Sequence, residues 1–284
     1  MKTKRTSITF IMFVFFAVFV ATMCINSCSA VTYAYSDGYQ EVYYCGGKDY
    51  TVATETFSYT TKEVEEYSIN GSFPNYYSLN GELQNSCANA AGATIVGYFD
   101  RYYPDLIPDY TPGRIRSSKY IYYPMSYYPD LKQVIIEDLY SRMLTNIGRE
   151  GTTQKNYKTG LSSYISSKGL SITYNSVMTN GAFDLGKAKV QFANESPISL
   201  FLSGYNFSVF TDENNQISIQ KRLYNSTHVA VAYGYVKTRY FNENGSLIKE
   251  ITYLKVATIL NEVTGVYILN TYGNLDDAES AHIG

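Results

Sequence analysis

The sequence predicts an α+β fold, with helices in the N-terminal half and an antiparallel β-sheet in the C-terminal half. Apolar residues recur at three- and four-residue spacing in several segments between residues 87 and 194, which is typical of helices. From residue 198 onward, β-branched or alternating runs are separated by turn clusters, which indicates strands. Because helices come first and strands follow, a parallel α/β sheet is not expected.

Residues 1–30 are predicted to be a signal peptide and not part of the fold. Three basic residues precede an almost wholly apolar run at 8–25, and small residues at 28–30 suit cleavage by a signal peptidase. An uncleaved membrane anchor and a lipidated Cys28 are the alternatives. Cleavage implies a secreted, extracellular protein, with cell-surface association left open and with this segment as its only membrane contact.

Residues 31–72 are predicted to be an N-terminal extension or pro-segment, and residues 73–284 the functional domain. The extension is rich in Tyr, Thr and Glu with weak periodicity, and turn-forming residues at 70–74 end it. The formal charge is −2 and becomes −5 without the three basic residues of the signal segment, so nucleic-acid binding is not expected. A monomer is expected.

The central element is a helix predicted to begin at Cys87 and to run to about Tyr103, since Pro104 follows. Small residues in its first turns allow close packing, as a buried central helix requires. The Tyr- and Pro-rich stretch 104–128 is predicted to be a surface excursion. The remaining predictions are helices at 130–146, 159–168 and 184–194, strands at 198–202, 228–236, 251–259 and 266–269, and a hairpin turn at 242–245.

Cys87 is the candidate nucleophile. Of four cysteines, two lie in the signal region, which leaves Cys45 and Cys87. A thiol reacts as its thiolate, and the free N–H groups at the start of a helix favour that anion. The structural alternative is a Cys45–Cys87 disulfide, although a chain of this length does not need one for stability.

His228 and Asn270 are the candidate partners of the thiol. His228 opens an apolar strand, and the only other histidine, His282, lies two residues from the end in a segment expected to fray. Each candidate also has a structural interpretation, as a hydrogen-bonded strand histidine and as a turn asparagine. An enzyme that needs an imidazole base has one good candidate here.

Four segments, in this order, resemble the papain superfamily of cysteine peptidases, and are most similar to its staphopain-like bacterial branch. They are residues 84–91 (QNSCANAA), 195–198 (ESPI), 228–235 (HVAVAYGY) and 269–273 (LNTYG), the last resembling the family's Asn-Ser-Trp-Gly signature. Over residues 75–275 the resemblance implies a papain-like fold with catalytic Cys87, His228 and Asn270. It further implies a cysteine peptidase that cleaves peptide or protein substrates through a thioester acyl-enzyme, without a cofactor.

The resemblance assigns the oxyanion hole to Gln84, which precedes the cysteine by three residues where the family usually has about six. Asn80 and Asn85 are alternatives, as is the backbone N–H of Cys87. The third catalytic position could also be filled by an aspartate, Asp276 or Asp277. No metal site is expected, because the histidines and the remaining cysteines are too widely spaced.

Two other functions fit the same residues. A cell-wall amidase or acyltransferase would use the same three side chains. In a non-catalytic surface-binding module, the cysteine would be an inert core residue.

Overall fold

A computed structural model describes residues 29–35, 38–45, 48–69, 72–79, 83–123, 125, 132–260, 264–269 and 274–284. The strands in these ranges are β1 (Ser29–Tyr35), β2 (Gly38–Cys45), β3 (Lys48–Ser58), β4 (Thr61–Ser68), β5 (Gly113–Arg116), β6 (Lys119–Tyr122), β7 (Ile172–Ser176), β8 (Met178–Thr179), β9 (Ala182–Phe183), β10 (Ile198–Glu213), β11 (Gln216–Phe241), β12 (Leu247–Ala257), β13 (Thr264–Ile268) and β14 (Asn274–Ile283). The helices are α1 (Cys87–Asp100), α2 (Glu137–Arg142), α3 (Gln154–Ser167) and α4 (Leu185–Ala193), and a π-helical turn (Lys132–Ile136) leads into α2.

The predicted papain-like α+β fold, with a helical N-terminal half, is wrong. Strands account for 47% of the structure and helices for 22%, and the helices are short. The main error lies in residues 29–68, which form β1 to β4. Both faces of β4 are largely exposed, so its sequence has none of the apolar alternation that marks a half-buried strand. Its pairing with β11 makes it a strand.

One antiparallel sheet holds β1–β4, β7 and β10–β14. Its spine is β11, which pairs along one edge with β10 and then β4, and along the other with β3 and then β12. β14 and β7 continue the sheet beyond β10. β13 pairs with β12 and also meets β10, where Val266 lies opposite Ser208, so the sheet bends back on itself.

The predicted extension at 31–72 contributes four strands to this sheet: most of β1 and all of β2, β3 and β4. Its acidic residues are ion-paired to basic residues of the sheet: Glu55 to Lys221 at 2.8 Å and Glu66 to Lys255 at 2.6 Å. Whether the extension is removed on activation stays a prediction. The predicted signal segment lies almost entirely outside the described residues. Among the residues that are described, no helix has the length and apolar character needed to cross a membrane.

α1 begins at Cys87, as predicted, and every residue after Cys87 is buried. The helix packs against β11 on one side and against α2 and α3 on the other. Small residues make this possible. A Cβ on Gly97, for example, would lie 2.4 Å from the hydroxyl oxygen of Tyr76, so only glycine fits.

Most other predicted elements occur at the predicted places. α3 and α4 match two predicted helices, the predicted strands fall within β10 to β13, and the hairpin turn at 242–245 joins β11 to β12. The predicted helix at 130–146 is limited to α2 and the π-helical turn. The fraying predicted for the C-terminus is wrong: Ala281 and Ile283 of β14 are buried, because β10 and β7 flank this strand.

Asp100, the last residue of α1, should make the stability of the protein depend on pH. Its Oδ1 accepts the Ile107 N–H at 2.6 Å, and burial raises the pKa of the carboxyl from 3.8 to about 6. The folded state therefore binds a proton more tightly than the unfolded state, so stability falls as the pH rises from about 4 to 6. Asp100→Asn keeps the acceptor without the charge. It should raise the free energy of unfolding at pH 7.5 by about 2 kcal/mol, with little effect at pH 3.5.

Urea unfolding of both proteins at the two pH values measures this difference. Asp109→Asn, at an exposed aspartate, is the control and should change stability equally at both pH values. An Asp100→Asn effect that does not depend on pH would contradict the assignment.

Candidate functional site

Cys87 is the first residue of α1 and is partly exposed. It is a free thiol, so the Cys45–Cys87 disulfide considered above is absent. The N-cap Ser86 does not cap the helix with its side chain; its Oγ instead accepts the Leu79 N–H at 2.8 Å. The thiol therefore lies at a helix start whose first N–H groups receive no side-chain cap, an environment that favours an anion.

The turn before Cys87 is fixed by polar contacts from α2 and from the segment that follows it. The Gln84 carbonyl accepts from the Tyr140 hydroxyl and from Asn146 Nδ2, each at 3.1 Å. Asn85, whose φ is +58°, donates from Nδ2 to Asn146 Oδ1 at 3.0 Å. The side-chain N–H groups of Asn85 are thus used in holding the turn to Asn146. The Gln84 side chain is exposed, and Asn80 lies outside the described residues. The assignment of Gln84 to an oxyanion hole stays a prediction.

His228 lies on β11 opposite Leu202 of β10 and is only 3% exposed. Its Nε2 is 2.7 Å from the backbone carbonyl oxygen of Thr258. A carbonyl oxygen can only accept a hydrogen bond, so Nε2 carries the hydrogen. In the neutral ring the lone pair is then on Nδ1, which makes Nδ1 the basic nitrogen.

Two aromatic rings hold the imidazole plane. Tyr205 stacks on His228 with ring centroids 5.1 Å apart and planes 21° apart, and Phe207 meets it edge-on at 6.0 Å. Burial raises the pKa of Tyr205 well above its ordinary value, and the charge of a Cys87 thiolate acts in the same direction. Tyr205 thus interacts electrostatically with Cys87 and stacks on the imidazole of His228.

A short chain of hydrogen bonds also connects the turn before Cys87 to His228. The Ser78 N–H and Oγ both donate to the Ile259 carbonyl, at 2.9 and 3.1 Å. Leu79, the next residue, donates to Ser86 as described above. Ile259 follows Thr258 and is buried with φ at +62°, a strained conformation for a β-branched residue. The two bonds from Ser78 help to hold this strained residue next to the Thr258 carbonyl that His228 bonds.

The third catalytic position stays a prediction, because Asn270 lies outside the described residues. Of the aspartate alternatives, Asp276 accepts from Ser203 Oγ at 2.8 Å, and Asp277 accepts from the Gln154 side chain. The imidazole itself is bonded to the Thr258 carbonyl.

The second histidine lies away from the site. His282 Nδ1 is 3.1 Å from Ser196 Oγ, and its ring meets Phe99 near the opposite end of α1 from Cys87. Its position removes the only competing imidazole. No group of three His, Cys, Asp or Glu side chains among the described residues could hold a metal ion.

Sequence reasoning missed Thr258, Ser78 and Tyr205. Thr258 acts through its backbone carbonyl, which no residue type reveals, and Tyr205 is one of 31 tyrosines. Ser86 stands where an N-cap residue is expected, but its hydroxyl bonds Leu79 instead of the helix, so the N-cap rule would have given it the wrong partner.

Comparisons with protein-family models, with curated proteins and with solved structures find no match for this chain. The resemblance of four segments to the papain superfamily therefore stays a prediction. Function has to be inferred from the geometry of the site.

Ser86→Ala should lower the free energy of unfolding by about 1–2 kcal/mol, because the Leu79 N–H loses its acceptor next to a fully buried side chain. Urea unfolding measures the change. The control is Ser166→Ala at an exposed position of α3, which should change stability little. Equal effects of the two substitutions would show that the Ser86 bond does not hold the turn.

Proposed function

We propose that the protein is a secreted cysteine peptidase, with Cys87 as nucleophile and His228 as general base. One observation carries this proposal: a free, partly exposed thiol starts a buried helix and shares the neighbour Tyr205 with a buried imidazole. A thiol that served only to fill the core would need neither a helix start nor an imidazole with a fixed tautomer.

His228 supplies the base through Nδ1. The hydrogen bond from Nε2 to Thr258 fixes the tautomer and the orientation of the ring, while the stacked Tyr205 restricts its tilt. This is the role that an asparagine or aspartate side chain plays in other triads. A share of this role for Asn270 stays a prediction, since that residue lies outside the described ranges.

The reaction follows from these two groups. Nδ1 takes the thiol proton, and the thiolate attacks the substrate carbonyl carbon to give a tetrahedral oxyanion. The protonated Nδ1 then gives its proton to the leaving amine as the C–N bond breaks, which leaves a thioester on Cys87. Nδ1 next removes a proton from water as the resulting hydroxide attacks the thioester carbon. The C–S bond then breaks, the acid leaves, and the Cys87 thiolate takes the proton back from Nδ1.

The oxyanion needs hydrogen-bond donors near the thiol. The N–H groups at the start of α1 are suitably placed, because the Ser86 side chain is turned away to Leu79. Each such donor typically contributes about 3–4 kcal/mol to the transition state. Gln84 is the side-chain candidate carried over from the resemblance.

Alkylation of the native protein tests the proposal. Iodoacetamide should modify Cys87 at pH 5, where an ordinary thiol with a pKa of about 8.5 hardly reacts. Peptide mass spectrometry locates the label, and hydrolysis of fluorescent casein should fall in proportion to the labelled fraction. Free cysteine under the same conditions is the reference.

A comparison of two substrates, casein and peptidoglycan, distinguishes the competing functions. Cleavage of casein supports a peptidase, whereas release of peptides from peptidoglycan without casein cleavage would indicate a cell-wall amidase. A Cys87 that reacts no faster than free cysteine, in a protein without either activity, would indicate a non-catalytic module.

A further inference from the structure

The hairpin of β5 and β6 presents a basic face to solvent. Cross-strand partners share a face, and the pairs are Arg114 with Ile121 and Arg116 with Lys119. Three cations and one isoleucine therefore lie on the same side. All residues from 114 to 119 are exposed.

Among the described residues, none gives these three cations a counter-charge. In the large sheet, by contrast, basic residues such as Lys221 and Lys255 are ion-paired. Across the described ranges, Arg114, Arg116 and Lys119 form no ion pair with an acidic side chain. Arg116 and Lys119 even lie directly opposite one another, and like charges so placed destabilise a hairpin. An anion bound to this face would offset that repulsion.

The tip of the same hairpin is also apolar. Ile115 is 76% exposed, more than any other large hydrophobic residue in the described ranges, and Ile121 lies among the cations. The two turn residues, Ser117 and Ser118, both have positive φ, as a tight two-residue hairpin turn requires. Ile115 lies opposite Tyr120, on the other face from the cations, but residues 114–119 are all exposed, so the tip carries aliphatic and basic side chains together.

The other face of the hairpin is fixed to the body of the protein. Ser72 binds both neighbouring strand positions, donating to the Tyr120 carbonyl at 2.9 Å and accepting the Tyr122 N–H at 2.9 Å. The Tyr122 hydroxyl donates to the Tyr98 carbonyl, near the end of α1, at 2.7 Å. The basic face is therefore held facing away from the helix.

We propose that this hairpin docks on a membrane surface that contains anionic phospholipids. Arginine and lysine bind the lipid phosphates, while the exposed isoleucines enter the boundary between headgroups and acyl chains. A soluble anionic polymer would engage the cations but would leave Ile115 in water. Because the whole chain carries a formal charge of −2, this patch also sets the orientation of the protein on the surface.

Docking in this way leaves the proposed catalytic site accessible. The hairpin contacts Tyr98 near the C-terminal end of α1, and Cys87 starts the helix, roughly 17 Å away at 1.5 Å per residue. The proposal does not depend on catalysis, so it can fail or succeed independently of the proposed function.

Vesicle cosedimentation of the full chain tests the proposal. The apolar segment at 8–25 can bind any bilayer, so the measured quantity is the ratio of partition coefficients for phosphatidylglycerol-containing and pure phosphatidylcholine vesicles. Arg116→Gln with Lys119→Gln should lower this ratio roughly 25-fold at low salt, about fivefold per cation. The matched control, Arg149→Gln with Lys155→Gln, removes the same charge from exposed positions elsewhere and should change the ratio little.

Two further measurements identify the lipid surface as the partner. Ile115→Ser should weaken binding to the anionic vesicles several-fold, and hydrogen exchange should slow at residues 113–122 when those vesicles are present. Equal ratios for the two double variants would overturn the proposal. Binding to soluble polyglutamate as strong as to vesicles, with no effect of Ile115→Ser, would overturn it in favour of an anionic polymer. Unchanged thermal unfolding confirms that each variant is folded.

Discussion

Cys87→Ala should lower kcat/KM for casein by about 10⁴-fold or more and leave the fold unchanged. The sulfur is the only atom in the proposed mechanism that attacks the substrate, so no other group can replace it. Alanine suits the first position of a helix, and the side chain is only partly buried, so little packing is lost. Steady-state hydrolysis of casein measures the loss of kcat/KM, and thermal unfolding of the variant shows whether the fold is unchanged.

Cys45→Ala is the matched control, because it removes the other cysteine of the predicted mature chain. It should retain activity and alkylation at acidic pH. If Cys87→Ala remained active while Cys45→Ala lost activity, the nucleophile would be misassigned. If both variants kept full activity, the chemistry would not use a thiol.

The sequence predicted those parts of the fold where burial imposes a periodicity. α1 is recognisable because its small and apolar residues recur at helical spacing and nearly all are buried. β4 is not recognisable, because it is exposed on both faces and exists through its pairing with β11. The hairpin of β5 and β6 falls in a Tyr- and Pro-rich stretch whose composition indicated only a surface excursion. Pairing between strands that are far apart in the chain leaves no recognisable pattern in the sequence of either strand.

The same distinction applies to the site. Cys87 and His228 could be named as candidates because their chemistry belongs to their side chains, and their catalytic roles stay a proposal. The bond from His228 to Thr258 could not, because any residue at 258 offers the same carbonyl. The strained φ of Ile259, next to that carbonyl, is likewise a property of the folded chain. Residue types thus indicated the reacting groups, and only the structure indicated what orients them.

His228→Gln tests the orientation and the base separately. The glutamine amide can donate to the Thr258 carbonyl as Nε2 does, but it cannot accept a proton at neutral pH. We therefore expect kcat/KM to fall by about 10³- to 10⁴-fold, with only a small change in thermal stability. His282→Gln, at the exposed histidine of β14, is the matched control and should remain fully active.

The double variant Cys87→Ala with His228→Gln gives the decisive comparison. Residues that act as one catalytic unit are strongly non-additive, so the double variant should be no less active than Cys87→Ala alone. A further loss in the double variant would mean that His228 contributes without the thiol, for example by holding β11 to Thr258. In that case the imidazole would be a structural residue, and another group would have to activate Cys87.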